Sequence, residues 1–422
     1  MDGDRNPYPK MQDVKFNYQN ISVTIEKDQF EVWNKNLFTN TEKYDCYVVL
    51  ARNGKQIREV KVSTAVAPLS KETYPLPEEV TALLTETAEY TVTVSFRLKT
   101  ASIWAEAGHE VAFGQQIFGH FPGLYTDAAA PIVPLQVIKG NGTLGVRGEA
   151  FEVLFSKDNG GLVSYRYAGK ELLTGAPVKP NFWRAPIDND RGSLMPFRYA
   201  QWKSASLYMT HKTKEGFVPK IEVKEESVSI CFHYTMPTTP QSTCLLAYEV
   251  YADGRVETEL TYDWVPELGD MPEFGVMFRL NADYDRLEWY GMGPEETYVD
   301  RCQGAKLGIY RNKVADNMAT YLVPQECGNK IGVRYAKVTD ARGRGMLFEG
   351  DAVSFSALPY TPHELEIAQH AYELPPVHAT VVRVAKSQMG VGGDDSWGAK
   401  THPEYLIQEE KQLKFHFSFR GI

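Results

Sequence analysis

Residues 390–400 read GVGGDDSWGAK: paired glycines, paired aspartates and a tryptophan inside one short loop. Adjacent carboxylates raise acid–base or metal chemistry, but on such a mobile acidic loop they can equally serve to shape it. The indole is the more specific signal. A glycine-rich loop can offer the ring of Trp397 flat to a ligand, and sugars present an apolar C–H face that aromatics cover well. The competing reading folds the ring back onto a sheet. Other candidates are weaker. Asp188-Asn189-Asp190 in NFWRAPIDNDRG would put both carboxylates on one face of an extended segment. Without further oxygen ligands, that pattern fits turn capping better than a cation site. Asn181, Phe182, Trp183 and Arg184 just before it form an aromatic–basic cluster that reads equally as a core strand or as a ligand-facing group. Glu295-Glu296 follows a two-glycine turn. Neighbouring side chains point apart, whereas an acid/base pair needs facing elements. Asp300 and Arg301 read as a structural ion pair or a loop anchor.

Histidine gives little chemistry. His233 and His416 fall on the polar side of strands and should be exposed, while His109 and His363 lie near strand ends and could be buried and hydrogen-bonded. No H-x-x-x-H, H-E-x-x-H, nucleophile-elbow or phosphate-loop pattern occurs, so neither a metal site nor a nucleophilic serine is expected in this chain.

The elements that must position these residues are strands. In YTVTVSFRLK, Tyr90, Val92, Val94, Phe96 and Leu98 alternate with polar residues. The same period of two places Val228, Ile230, Phe232 and Tyr234 on one face of SVSICFHYTM. It recurs at Val256, Leu260, Tyr262 and Trp264, and at Leu413, Phe415, Phe417 and Phe419. Each run predicts a half-buried antiparallel strand. Asn53-Gly54, Asn159-Gly160-Gly161 and Asp253-Gly254 supply hairpin turns, and a short helix is expected within Pro77 to Leu84. The chain is therefore expected to be all-β. The spacing predicts an entry segment over 1–20, an immunoglobulin-like sandwich over 21–121, a Pro/Ala-rich linker over 122–134, and one large sheet domain over 135–422.

The chain has 422 residues, with 43% apolar and 23% charged positions, as in soluble globular proteins. A net charge of −9 argues against nucleic acid or an anionic membrane as partner. There is no signal-peptide pattern and no membrane-length apolar run. Five scattered cysteines read as free thiols in a reducing compartment, so a cytoplasmic location is expected.

Six stretches, in order, carry a resemblance: DRNPYPKMQDVK (4–15), WAEAGHEVAFGQQ (104–116), NFWRAPIDNDRG (181–192), EWYGMGPEETYVDR (288–301), YLVPQECGN (321–329) and MGVGGDDSW (389–397). Together they resemble the C-terminal part of a glycoside hydrolase family 2 β-galactosidase of the large bacterial type. The resemblance implies that 1–20 ends a (β/α) barrel, that 21–121 is the immunoglobulin-like domain following it, and that the remainder is a galactose-mutarotase-like supersandwich. It also implies that the two catalytic glutamates of the retaining reaction, and the Mg and Na of the active site, belong to the barrel. No residue here is then catalytic, and no cofactor is bound by this chain. Trp397 would form an aromatic wall for the β-galactoside. Gly392 and Gly393 would present it, and Asp394 and Asp395 would hold the loop by accepting backbone N–H bonds. Gly192, Ser193 and Leu194 would belong to a mobile loop at the active-site entrance. The implied partner is a barrel-bearing catalytic part or large subunit, within an oligomeric enzyme whose assembly this chain helps to stabilise. Two other readings are a stand-alone galactoside-binding module and a mutarotase-like sugar epimerase. The epimerase needs a general base and acid in one cleft, and no such set is assigned.

Overall fold

The computed structural model describes residues 1–85, 87–124, 134–211, 219–395 and 397–422. Most of the expected linker, and Ser396 of the tryptophan loop, lie outside the described residues. The chain divides into two units. One comprises Met1–Pro9, Asp127–Cys302 and Tyr310–Ile422, and the other Lys10–Thr126 with Gln303–Ile309. The stretch 1–20 is thus shared, with Met1–Pro9 in the large unit and the helix Met11–Asn17 in the small one.

The small unit is an immunoglobulin-like sandwich. A three-stranded sheet of Ile21–Ile25, Gln29–Asn34 and Ser70–Pro75 faces a four-stranded sheet of Lys55–Val62, Tyr44–Arg52, Tyr90–Leu98 and Glu110–Phe118. Alternation explains the core, because successive side chains of a strand point to opposite faces. Cross-strand pairs Val48–Val94, Leu50–Val92 and Cys46–Phe96 close over Phe30 and Val32, all buried. Thr91, Thr93 and Ser95, which alternation assigns to a polar and solvated face, are buried as well. Gln303–Ile309 reaches that face beside Thr93, and Phe113, paired with Ser95, packs on Phe16 of the helix Met11–Asn17. Gln115 accepts the Leu307 N–H at 2.7 Å and donates to Thr93 Oγ1 at 3.0 Å, while Lys306 pairs with Glu110 at 2.6 Å.

The large unit carries a five-stranded sheet from Gln136–Lys139 to Lys170–Glu171 and a twelve-stranded antiparallel sheet. In the latter, Lys179–Asn181 is followed by Glu273–Asn281, Ala379–Gln388, Gly345–Leu358, Gln412–Gly421 and Val256–Asp263, and then by the meander back to Lys220–Val223. The inward faces are those that alternation selects: Val228, Ile230, Phe232, Tyr234, Leu413 and Phe417 are all buried. Aromatics join the two sheets. Phe155 meets Tyr248 across them at 5.2 Å between centroids, while within the twelve-stranded sheet Phe278 sits edge-on to Phe348 and Phe419 at 5.2 and 5.1 Å. Such pairs add about 0.5–1.5 kcal/mol each beyond area burial.

Candidate functional site

The tryptophan loop leaves the end of the strand Ala379–Gln388, and its base is tied on several sides. The Gly390 N–H donates to the Tyr405 carbonyl at 2.9 Å. The Gly390 carbonyl accepts Arg184 Nη2 and Thr401 Oγ1, both at 3.1 Å. The Gly392 N–H donates to Asp300 Oδ2 at 2.7 Å. The two legs then run so close that a Cβ on Gly393 would stand 2.5 Å from the Ala399 carbonyl oxygen. Farther out, Asp395 Oδ1 accepts the N–H groups of Trp397 and Ala399 at 2.8 and 3.2 Å. These bonds favour the anion and lower its pKa. Asp394, expected to take backbone N–H bonds, instead meets the side chain of His402 at 2.9 Å, and that contact raises the imidazole pKa. Trp397 itself is 88% exposed. Its indole does not fold back onto the sheet.

The expected entrance segment is beside it. Gly398 has φ +132°, and a Cβ there would come within 3.1 Å of the Gly192 carbonyl oxygen, so the two loops lie against each other. Residues 192–197 take the form of two short helices, Asp188–Gly192 and Met195–Arg198, joined through Ser193 and a left-handed Leu194. Arg198 ties the junction by donating to the Ser193 carbonyl and hydroxyl at 3.0 and 3.2 Å. Leu194 and Phe197 are 64% and 83% exposed. Two apolar side chains, one of them aromatic, are thus exposed on the segment that lies against the tryptophan loop.

Beneath the loop lies a buried polar network whose pairings the motif NFWRAPIDNDRG did not disclose. Arg184 is fully buried and grips Asp190 with both terminal nitrogens, and Asp190 Oδ2 also accepts the Ile187 N–H at 2.9 Å. Asp190 therefore starts the helix Asp188–Gly192 and neutralises the guanidinium that holds Gly390. Next to it Arg383 bridges Glu273 and Glu326 at 2.7 and 2.5 Å, all three side chains being buried. Asn181 and Gln388 also donate to Glu273. Burial pushes the Glu273 pKa up to about 7; Arg383 opposes this and Glu326 adds to it. For Arg383, burial works against the charge, but the two carboxylates outweigh it and hold its pKa up.

A pH prediction follows for Glu273. A folded pKa near 7 against an ordinary 4.5 means the native state holds the proton longer than the unfolded chain. The group's contribution is complete below about pH 4.5 and is lost as pH rises through about 7. Glu273→Gln is therefore expected to flatten the fall in stability over that window, by ~2–3 kcal/mol. Urea unfolding at pH 5 and pH 8 measures it; parallel slopes in variant and wild type would refute it.

The remaining sequence candidates separate. Asn181, Phe182, Trp183 and Arg184 are buried, so this cluster is core. Glu295 is exposed, whereas Glu296 is buried on Arg301, the Tyr321 hydroxyl and the Gly328 N–H. Arg301 thus pairs with Glu296 and not with its neighbour Asp300. His109 is exposed, against Trp104, rather than buried. His363 is half-buried, and burial lowers its pKa to about 4. Among the described residues no group of three or more His, Cys, Asp and Glu is placed to hold a metal ion, and no helix is long and apolar enough to cross a membrane.

The fold and the loop define an immunoglobulin-like sandwich and a large antiparallel sandwich bearing an exposed aromatic platform. The model of the β-galactosidase small chain matches residues 147–420, and that of β-galactosidase domain 4 matches residues 30–118. The chain belongs to the β-galactosidase small-chain family. It is 41% identical over 427 residues to a β-galactosidase of Halalkalibacterium halodurans, covering 99% of this chain and 41% of that protein. It is 33% identical over 314 residues to a β-galactosidase small subunit of Latilactobacillus sakei, covering 68% of this chain and 98% of that one. The chain thus spans about two fifths of the length of the long β-galactosidases it matches and nearly all of the small subunit. A solved galactose 1-epimerase of Lactobacillus acidophilus overlaps 68% of this chain and 98% of that one at 9% identity, with a TM-score of 0.36. That likeness is too loose to bear on function.

Proposed function

We propose that this chain is the non-catalytic part of a retaining β-galactosidase. It completes the sugar-binding wall of an active site whose acid/base and nucleophile carboxylates, with Mg and Na, come from a barrel-bearing catalytic part. Trp397 stacks on the galactoside, Gly392 and Gly393 let the loop present it, and Asp395 and Asp300 hold the loop through its N–H groups. Family membership supports the reaction. The observation that carries the role of Trp397 is an indole 88% exposed at the tip of a loop anchored at its base, where burial by a ligand is the gain still available to it.

The test is complementation. Mixed with a barrel-bearing catalytic part, the chain is expected to restore hydrolysis of o-nitrophenyl galactoside, while neither part alone turns over. Trp397→Ala should raise KM roughly 10- to 30-fold, the equivalent of about 1.5–2 kcal/mol of lost burial. The exposed ring contributes nothing to the core, so the thermal midpoint should not move. An unchanged KM would remove the stacking role. Glycan binding by the isolated chain that Trp397→Ala abolishes would favour a stand-alone binding module.

A further inference from the structure

The large unit contains a cavity of about 440 Å³ bordered by the strand Arg286–Gly293, the turn Val314–Asn317 and part of the segment Asp2–Pro9. Lys330, the first residue of the strand Lys330–Thr339, lines it. The residue is only 3% exposed. Its Nζ lies 5.0 Å from the Trp289 ring centroid, and no hydrogen bond or ion pair to a described residue holds it. A buried ammonium without an acceptor is costly. Burial lowers its pKa to about 8, with the fields of Glu296 and Glu295 pulling the other way.

A second unmet group stands on the same wall. Asn317 donates its amide to the Ala357 carbonyl at 3.2 Å, which turns its Oδ1 toward Asn312. Asn312 must then donate its own Nδ2 there, at 2.8 Å. That fixes the orientation of the Asn312 amide by its network, and its Oδ1 is left buried without a partner. The cavity lining therefore carries one unmet donor, Lys330, together with Asn312, whose unmet acceptor is closed off from solvent and reaches a ligand only if its side chain turns. Its charged lining is Asp2, Glu295, Glu296 and Asp316 against Arg311 and Lys330, four carboxylates to two cations. That balance opposes an anion. A hydroxyl can accept from an ammonium while donating to an amide oxygen or a carboxylate, and the volume falls within the ~300–1,000 Å³ of small-molecule sites.

We propose that this cavity is a second carbohydrate site, taking a small neutral polyhydroxyl molecule of monosaccharide size, with Lys330 donating to one hydroxyl and Asn312, its side chain turned, accepting from another. It stands apart from Trp397, and its test does not need an active enzyme. Galactose, with inorganic phosphate as the anionic control, is titrated into the full chain by ligand-observed NMR. In parallel, acetylation of Lys330 by acetic anhydride near pH 8 is followed by mass spectrometry. Galactose is expected to bind with a Kd of roughly millimolar order and to slow acetylation of Lys330 severalfold, while phosphate does neither. Lys330→Met and, separately, the milder Asn312→Ala should each weaken galactose binding roughly tenfold, and Trp397→Ala should leave it unchanged. Three results would overturn the site: no protection of Lys330 by galactose, equal protection by phosphate, or binding lost with Trp397 and kept without Lys330 and Asn312.

Discussion

Arg383→Met is expected to cost about 3–5 kcal/mol of folding free energy at pH 8, enough to leave much of the protein unfolded at modest urea. The wild-type guanidinium bridges Glu273 and Glu326, and all three side chains are removed from solvent. Methionine fills a similar volume, so the cost comes from two stranded carboxylates rather than from a cavity. The pH dependence identifies the cause. Burial already holds the Glu273 pKa near 7 with Arg383 opposing it, so loss of the guanidinium must raise it further. Protonation then relieves part of the penalty, and the variant should be markedly less destabilised at pH 5 than at pH 8. Urea midpoints at the two pH values decide the matter. An exposed pair gives the contrast: breaking Lys71–Glu31, with both side chains largely in water, should cost under ~1 kcal/mol at either pH. A loss that small for Arg383, or one indifferent to pH, would show that the buried charges are not coupled in this way.

These charges mark the limit of what the sequence shows. Strands with strict alternation were legible because one buried face imposes a period of two, and Val228 to Tyr234 and Leu413 to Phe419 point where the pattern sends them. The hairpins at Asn53-Gly54 and Asp253-Gly254 were legible for an equally local reason. The burial of Thr91, Thr93 and Ser95 was not, since Gln303–Ile309, which reaches this face beside Thr93 through Gln115, follows some 200 residues later. Glu273 and Arg383 left only a faint signal, single charged residues in the apolar strands EFGVMF and ATVVRVA. Those strands pair with Met277 opposite Arg383, a registry that no local pattern fixes. Of the candidate site, the loop glycines and an available indole could be read locally. Its anchorage by Asp300 and Arg184, from two distant segments, could not.

That anchorage yields the second large effect. Asp190→Ala should destabilise the large unit by about 3–5 kcal/mol, because it leaves the fully buried Arg184 without its carboxylate. It also removes the acceptor of the Ile187 N–H at the start of the helix Asp188–Gly192. Pairing it with Arg184→Met removes the stranded charge, and an apolar pair of similar volume should recover most of the lost stability. The loop contact does not recover, because only Arg184 carries the Nη2 that holds the Gly390 carbonyl at 3.1 Å. The double variant should therefore unfold near the wild-type urea midpoint and still complement poorly, with KM raised in the same direction as for Trp397→Ala. Stability and substrate binding then part company, which simple misfolding cannot produce. A double variant that regains both would reduce Arg184–Asp190 to a structural pair with no hold on the tryptophan loop. If it regains neither, the helix start made by Asp190 must matter more than the charge it balances.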